Sequence, residues 1–209
     1  MTTSAGYHHG DLPTALKAAT VELVAERGAT GFSLREVARR AGVTHAAPAH
    51  HFGDSRGLLT AVAIEGFTML NDAFALALAG EQAVGGDSRR RLIALGQAYI
   101  RIAHNHGGHF TVMWSEDLID LDDPVFVDVS QRAYGYLERC LVEVAKEHNP
   151  ELDIEGASLL TWSSVHGLAM LYCSPSVNAE LRPSGELDAW IVKFADLLLD
   201  GFTRRPEGS

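Results

Sequence analysis

Histidine is the first residue in this sequence that invites a chemical reading, because imidazole ligates metals, moves protons and hydrogen-bonds to nucleic-acid bases. Ten are present. Three cluster as His104-x-His106-x-x-His109, with Glu116 and Asp117 downstream, which is a ligand set a metal-sensing body would need. Gly107 and Gly108 interrupt the run, so these side chains are expected in a loop without fixed ligand geometry, and no metal is assigned. His45, His50 and His51 instead stand among alanines, where they offer hydrogen bonds on an otherwise plain surface. The string Gly53-Asp54-Ser55-Arg56-Gly57 spells a G-x-S-x-G. That hydrolase motif requires a preceding strand, and here its flanks are helical, so no catalytic residue and no enzyme activity are expected. Trp162 and His166 share a helix face at i and i+4, followed by Gly167, whose missing side chain would let another backbone approach. This pair either lines a pocket or locks the fold through a hydrogen bond. Cys140 and Cys173 are too few for a disulfide framework and too far apart for a metal motif, which leaves them as small apolar side chains. No cofactor is called for.

The elements that must carry these residues read as helices almost throughout. Leu12, Leu16, Ala19 and Leu23 step by three or four residues from Asp11 to Arg27, and Gly28 stands where a helix ends. Ser33 with Glu36 makes a capping box, and Leu34, Val37, Ala38 and Ala41 form one apolar stripe that Gly42 terminates. Thr44 is expected to cap a third short helix reaching about His51, with Pro48 in its first turn. A fourth helix spans about 55–79, ended by the glycines between Gly80 and Gly86. Five more are expected at about 88–106, 109–117, 124–148, 154–173 and 185–203. No alternation with period two is long enough for a strand, so the expected class is all-α with about nine helices: a three-helix helix-turn-helix at 1–54, then a helical bundle at 55–209.

The 209 residues are 46% apolar and 21% charged, and no run approaches the ~18 apolar residues of a membrane span. The opening residues lack a basic region followed by an apolar stretch, so a cytoplasmic protein without a membrane partner is expected. Net charge is −10, but it is unevenly spread. Residues 1–60 carry six Lys/Arg against five Asp/Glu, leaving −11 for the remainder, a balance that permits a nucleic-acid-facing head on an acidic body.

Two short helices joined by a glycine turn, with small Ala38 at their crossing, have the spacing of a helix-turn-helix. The stretch from Phe32 through Pro48, then His51-Phe52 and Leu58-Leu59, resembles the DNA-binding domain of the tetracycline-repressor (TetR) family, with the first helix and Gly28 in register. Trp162-x-x-x-His166-Gly167 is similar to the Trp-x-x-x-His-Gly signature of one C-terminal subclass of that family. The resemblance implies a ligand-responsive repressor, a homodimer that grips palindromic double-stranded operator DNA and is released by a small effector. In the family, the positions matching Ser33, Thr44 and His51 commonly touch phosphate. Chemically, His45 and His50 can read base edges, Ala46 and Ala47 offer methyls to thymine, and Arg35 and Arg56 supply charge. Two residues depart from the family pattern: Ala49 stands for its usual Tyr and Ser55 for its usual Lys, which leaves more work to the arm Tyr7-His8-His9.

The helix at 154–173 is apolar on nearly all sides and must be covered on both flanks. With the last helix it is expected to form the dimer interface, Leu198 within it. A pocket for a mostly apolar effector is expected among Tyr99, Phe110, Met113, Trp114, Tyr134, Trp162 and His166. Helix four, touching head and body, is the expected lever, with Gly66 and Ala73 letting it slide.

Overall fold

The computed structural model describes residues 12–173 and 187–203. Asp11, the arm Tyr7-His8-His9 and the loop from Ser174 to Gly185 lie outside them. Among the described residues there are nine α-helices and no strand: α1 Leu12–Arg27, α2 Leu34–Arg40, α3 Ala47–Phe52, α4 Ser55–Ala83, α5 Ser88–Asn105, α6 Gly107–Met113, α7 Pro124–His148, α8 Ile154–Cys173 and α9 Leu187–Thr203. A 3-10 turn, Glu116–Leu118, follows α6.

Two compact units divide the chain. Unit 1 holds residues through Gly66 together with Gly108–Val127, and unit 2 holds Phe67–Gly107 and everything from Asp128. In unit 1, Leu16, Ala19 and Leu23 of α1 meet Val37 of α2 and Leu58 of α4, with Phe32, Val43 and Phe52 closing the edges. Each such apolar side chain removed from water contributes roughly 1.5–3 kcal/mol. Gly28 ends α1 at φ +80°, and its amide hydrogen-bonds to Val24 O at 2.8 Å. Gly42, at φ +68°, turns the chain between α2 and α3, while the Val43 amide returns to Ala38 O. Side chains other than glycine adopt these angles at a cost, which is why the punctuation was readable.

Several boundaries differ from the sequence pattern. Thr44 does not cap α3. The helix starts at Ala47 with Ala46 in the cap position and no side-chain cap, because Pro48 in the first turn has no amide that needs one. α4 runs through Gly80 to Ala83, since one glycine costs a long helix only about 1 kcal/mol. α6 begins at Gly107, so Gly107 and Gly108 open a helix instead of breaking one. A side chain at Gly108 would put its Cβ 2.5 Å from Val21 O, so the glycine is there for close approach to α1. His104 therefore lies in the last turn of α5, His106 caps it and His109 sits in α6, correcting the loop placement. By length and composition alone α4 would also suffice to cross a membrane, a property missed by counting consecutive apolar residues. Leu58, Val62, Ala63 and Leu70 on it are fully buried, as a core helix requires.

Candidate DNA-binding and ligand-responsive sites

The candidate DNA-facing surface is built on α2 and α3. Ser33 caps α2 by accepting the Glu36 amide at 3.3 Å. Pro48 is buried and Phe52 half-buried, so α3 is anchored at two points while Thr44, His45, Ala46, His50 and His51 stay exposed and Ala47 is half-buried. The His50 and His51 rings meet edge to face at 5.4 Å.

Most of the head's cations are committed. Arg27 bonds Glu36 at 2.6 Å, Arg40 grips both oxygens of Glu26 at 2.7 and 2.8 Å, and Lys17 lies 3.0 Å from Glu65. The Arg40 hydrogen bond holds the Glu26 carboxyl below its usual range, and Arg27 does the same for Glu36. The Arg56 guanidinium donates to the carbonyls of Ile119 and Asp117, fastening the start of α4 to the 3-10 turn while keeping its charge. Arg35 and Arg39 make no ion pair among the described residues, and both are exposed. Arg39 had not been singled out from the sequence. Its signal was available, because it stands four residues after Arg35 on the same helix face.

The residues expected around an effector divide between the units. In unit 2 the Trp162 indole lies 5.8 Å from the Tyr99 ring and 5.9 Å from Tyr134, and Tyr99 Oη is 2.7 Å from His166 Nδ1. The Trp162–His166 pair thus lies in a hydrogen-bonded aromatic cluster. Burial pushes the His166 imidazole below its usual value, favouring the neutral ring that can accept the phenol's proton. In unit 1, Phe110 and Met113 are buried, Phe110 lies 6.3 Å from Trp114, and Met113 fills the space that a side chain at Gly66 would need. Gly167 has nothing within 4 Å of a Cβ built on it, so no backbone among the described residues uses its opening.

The remaining candidates are separate. His104 packs on the Tyr172 ring at 5.4 Å, His109 lies 3.7 Å from Glu65, and no group of three or more metal-ligating side chains occurs among the described residues. Cys140 is buried, which pushes its thiol up to about 11.

The geometry agrees with known proteins. Residues 16–62 match the family described as bacterial regulatory proteins, tetR family, and residues 92–191 match the tetracyclin repressor-like C-terminal domain. No curated protein matches. Among solved structures, a protein of unknown function from Rhodococcus sp. RHA1 is 27% identical with a TM-score of 0.76, covering 96% of this chain and 100% of that one. The TetR-family regulator PfmR from Thermus thermophilus is 20% identical, TM-score 0.69, over 91% of this chain and 99% of its own. The fatty acid degradation regulator FadR from Bacillus halodurans is 17% identical, TM-score 0.73, over 97% and 100%. A head that presents α3 on a closed three-helix core, joined to an all-helical body and matched by both domain families, makes this chain a member of the tetracycline-repressor family of ligand-responsive transcriptional regulators.

Proposed function

We propose that this chain is a repressor that binds a palindromic operator as a homodimer in the cytoplasm and leaves it when a small, mostly apolar effector binds. The observation that carries the DNA side is the exposed face of α3, polar and anchored from behind by Pro48 and Phe52. Ser33, Thr44 and His51 would touch phosphate, with Arg35 and Arg39 as its free charges. His45 and His50 would read base edges.

The dimer reading is supported by α8. Leu160 is 49% exposed, Met170 51% and Leu171 55%, and with Ser163 and the open Gly167 they follow helical spacing along one face. A second copy laid on that face would bury this stripe and use the room at Gly167. Leu198, expected at the interface, instead lines a cavity with residues of α5 and α8, while Leu197 beside it is 69% exposed.

Selection of bound sequences from random duplex DNA by the purified protein tests the whole reading. A palindrome is expected, its half-sites about 10 base pairs apart or a multiple of that. Enrichment of an asymmetric sequence, or of none, would overturn it.

A further inference from the structure

The start of α4 is held from two directions. On the α3 side only Gly53 and Asp54 separate the two helices, and the Asp54 carboxylate caps α4 by accepting the Gly57 amide at 2.9 Å. Leu58 and Leu59 beyond it are buried, Leu58 against Leu16, Leu23 and Val37. A change in the direction of this first turn therefore carries α3 with it. On the other side the same stretch of α4 is bonded to residues 117–120, which are 60 to 63 positions further along the chain and within the same unit.

We propose that Arg56 and Thr60 are positioning residues for operator binding: they clamp the first two turns of α4 to residues 117–120 and so fix the direction in which the head presents α3, while Arg56 itself makes no phosphate contact. The proposal rests on the operator reading above and adds the residues that set the head's geometry.

Three observations carry it. First, the Arg56 guanidinium donates from one nitrogen to Ile119 O and from the other to Asp117 O, the latter at 3.0 Å. The Asp120 amide donates to Thr60 Oγ1 at 2.9 Å, and the Thr60 hydroxyl donates to Arg56 O at 2.8 Å. These bonds run through two side chains four residues apart on one helix face. Thr60 is 4% exposed and Ile119 fully buried, so the inner end of the clamp is shielded from competing water. Second, the chemistry suits arginine. The 3-10 turn Glu116–Leu118 gives way to extended backbone at Ile119, so carbonyls at its end are left without a partner in the turn. A planar guanidinium with forked N–H groups spans two such carbonyls, whereas the point charge of a lysine does not. Reaching for phosphate instead would strip both carbonyls of their donors. Third, residues 117–120 lie on the stretch that joins α6 to α7. Its near end is packed on α1 at Gly108, where a Cβ would meet Val21 O at 2.5 Å, and the clamp fixes its far end. Held at both ends, the stretch braces the head; held at one, it is free to swing.

The test compares Arg56→Lys, Arg56→Ala, Thr60→Val and Thr60→Ser in the full chain, titrated with the palindrome recovered by the duplex selection. Arg56→Lys keeps the charge and loses the fork. Both Arg56 variants and Thr60→Val should bind this operator about tenfold more weakly than the native chain, and Thr60→Ser, which keeps the hydroxyl, should stay within about twofold. All of them should bind a non-specific duplex as the native chain does, and Arg56→Lys should keep the native salt slope. Inserting one base pair between the half-sites should cost the weakened variants less than it costs the native chain, because a loosened head tolerates a changed spacing. The Thr60 pair serves if the arginine variants do not fold. Native affinity in Arg56→Lys, with Arg56→Ala losing affinity for every duplex and flattening the salt slope by about 2, would make Arg56 a phosphate contact and overturn the proposal. Native affinity in both Arg56 variants, or equal losses in Thr60→Val and Thr60→Ser, would also overturn it. Amide exchange without DNA reads the clamp by itself: exchange at Asp120 should be about tenfold faster in Thr60→Val and unchanged in Thr60→Ser, and native exchange in Thr60→Val would remove the clamp. Failure of that arm leaves operator binding standing. Failure of the duplex selection to yield a palindrome sinks the operator reading and the positioning role with it, and leaves the exchange result intact.

Discussion

At the scale of single residues, the head is economical with charge. Its arginines outnumber its free arginines, because Arg27 and Arg40 are bound by carboxylates. Binding that displaces counterions should therefore depend on Arg35 and Arg39. In a dimer either substitution to alanine removes two phosphate contacts, so the slope of log affinity against log salt should flatten by about 2. Arg40→Ala should leave the slope nearly unchanged; the reverse ranking in filter-binding titrations would refute this assignment. His45→Ala should change which operator bases are preferred, and unchanged relative affinities for operator variants would move base reading elsewhere. In unit 2, His166 makes folding pH-dependent. Its usual value is 6.5 and burial lowers it in the fold, so between the two values the unfolded chain holds more protons and stability rises with pH. The stabilisation is complete above about pH 6.5 and is lost as pH falls towards the folded value. His166→Gln should flatten the dependence of Tm on pH between pH 5 and 7, and an unchanged profile would show that the burial of His166 does not carry it.

At the scale of elements, the dimer proposed above rests on α8. Met170→Glu places a charge in the exposed stripe without disturbing the buried residues Ala157, Ser158 and Ala169, so it should yield folded monomers with weak operator affinity. Sedimentation settles this, and a variant that stays dimeric would place the interface on another face. What the sequence disclosed about elements follows from how local the controlling physics is. Ser33, Gly28 and Gly42 act within a turn, and they marked α1 and α2 to within a residue. Pro124 at the start of α7 and the helical pattern of α8 did the same. Gly108 was misread because its reason lies at Val21, far away in sequence, and nothing in a local pattern distinguishes a breaking glycine from one that admits a neighbour. The candidate site divides along the same line. The exposed histidines of α3 were legible from their apolar-poor surroundings. That Arg27 and Arg40 are taken up by carboxylates while Arg35 and Arg39 are not was hidden, because which carboxylate a long side chain meets is a property of packing.

At the scale of the molecule, the two units are continuous through helices. The chain passes from one to the other inside α4 after Gly66, at the start of α6, and inside α7 after Val127. α4 is 29 residues long, about 43 Å at 1.5 Å per residue, and Gly66 at its crossing point is packed against Met113. An effector changes operator affinity only through a difference in its own affinity for the operator-competent and operator-released states, however tightly it binds either. Linkage then requires that operator DNA weaken effector binding by the same factor by which effector weakens operator binding, typically 5- to 150-fold, or about 1–3 kcal/mol. Enlarging Gly66 to leucine should collide with Met113 and reduce this factor, even where each ligand alone still binds. Fluorescence titration of an apolar effector against free and operator-bound protein, paired with operator titrations at zero and saturating effector, measures both sides of the cycle. Matching factors above fivefold are expected for the native chain. Equal effector affinity in the two states would rule out release by that effector.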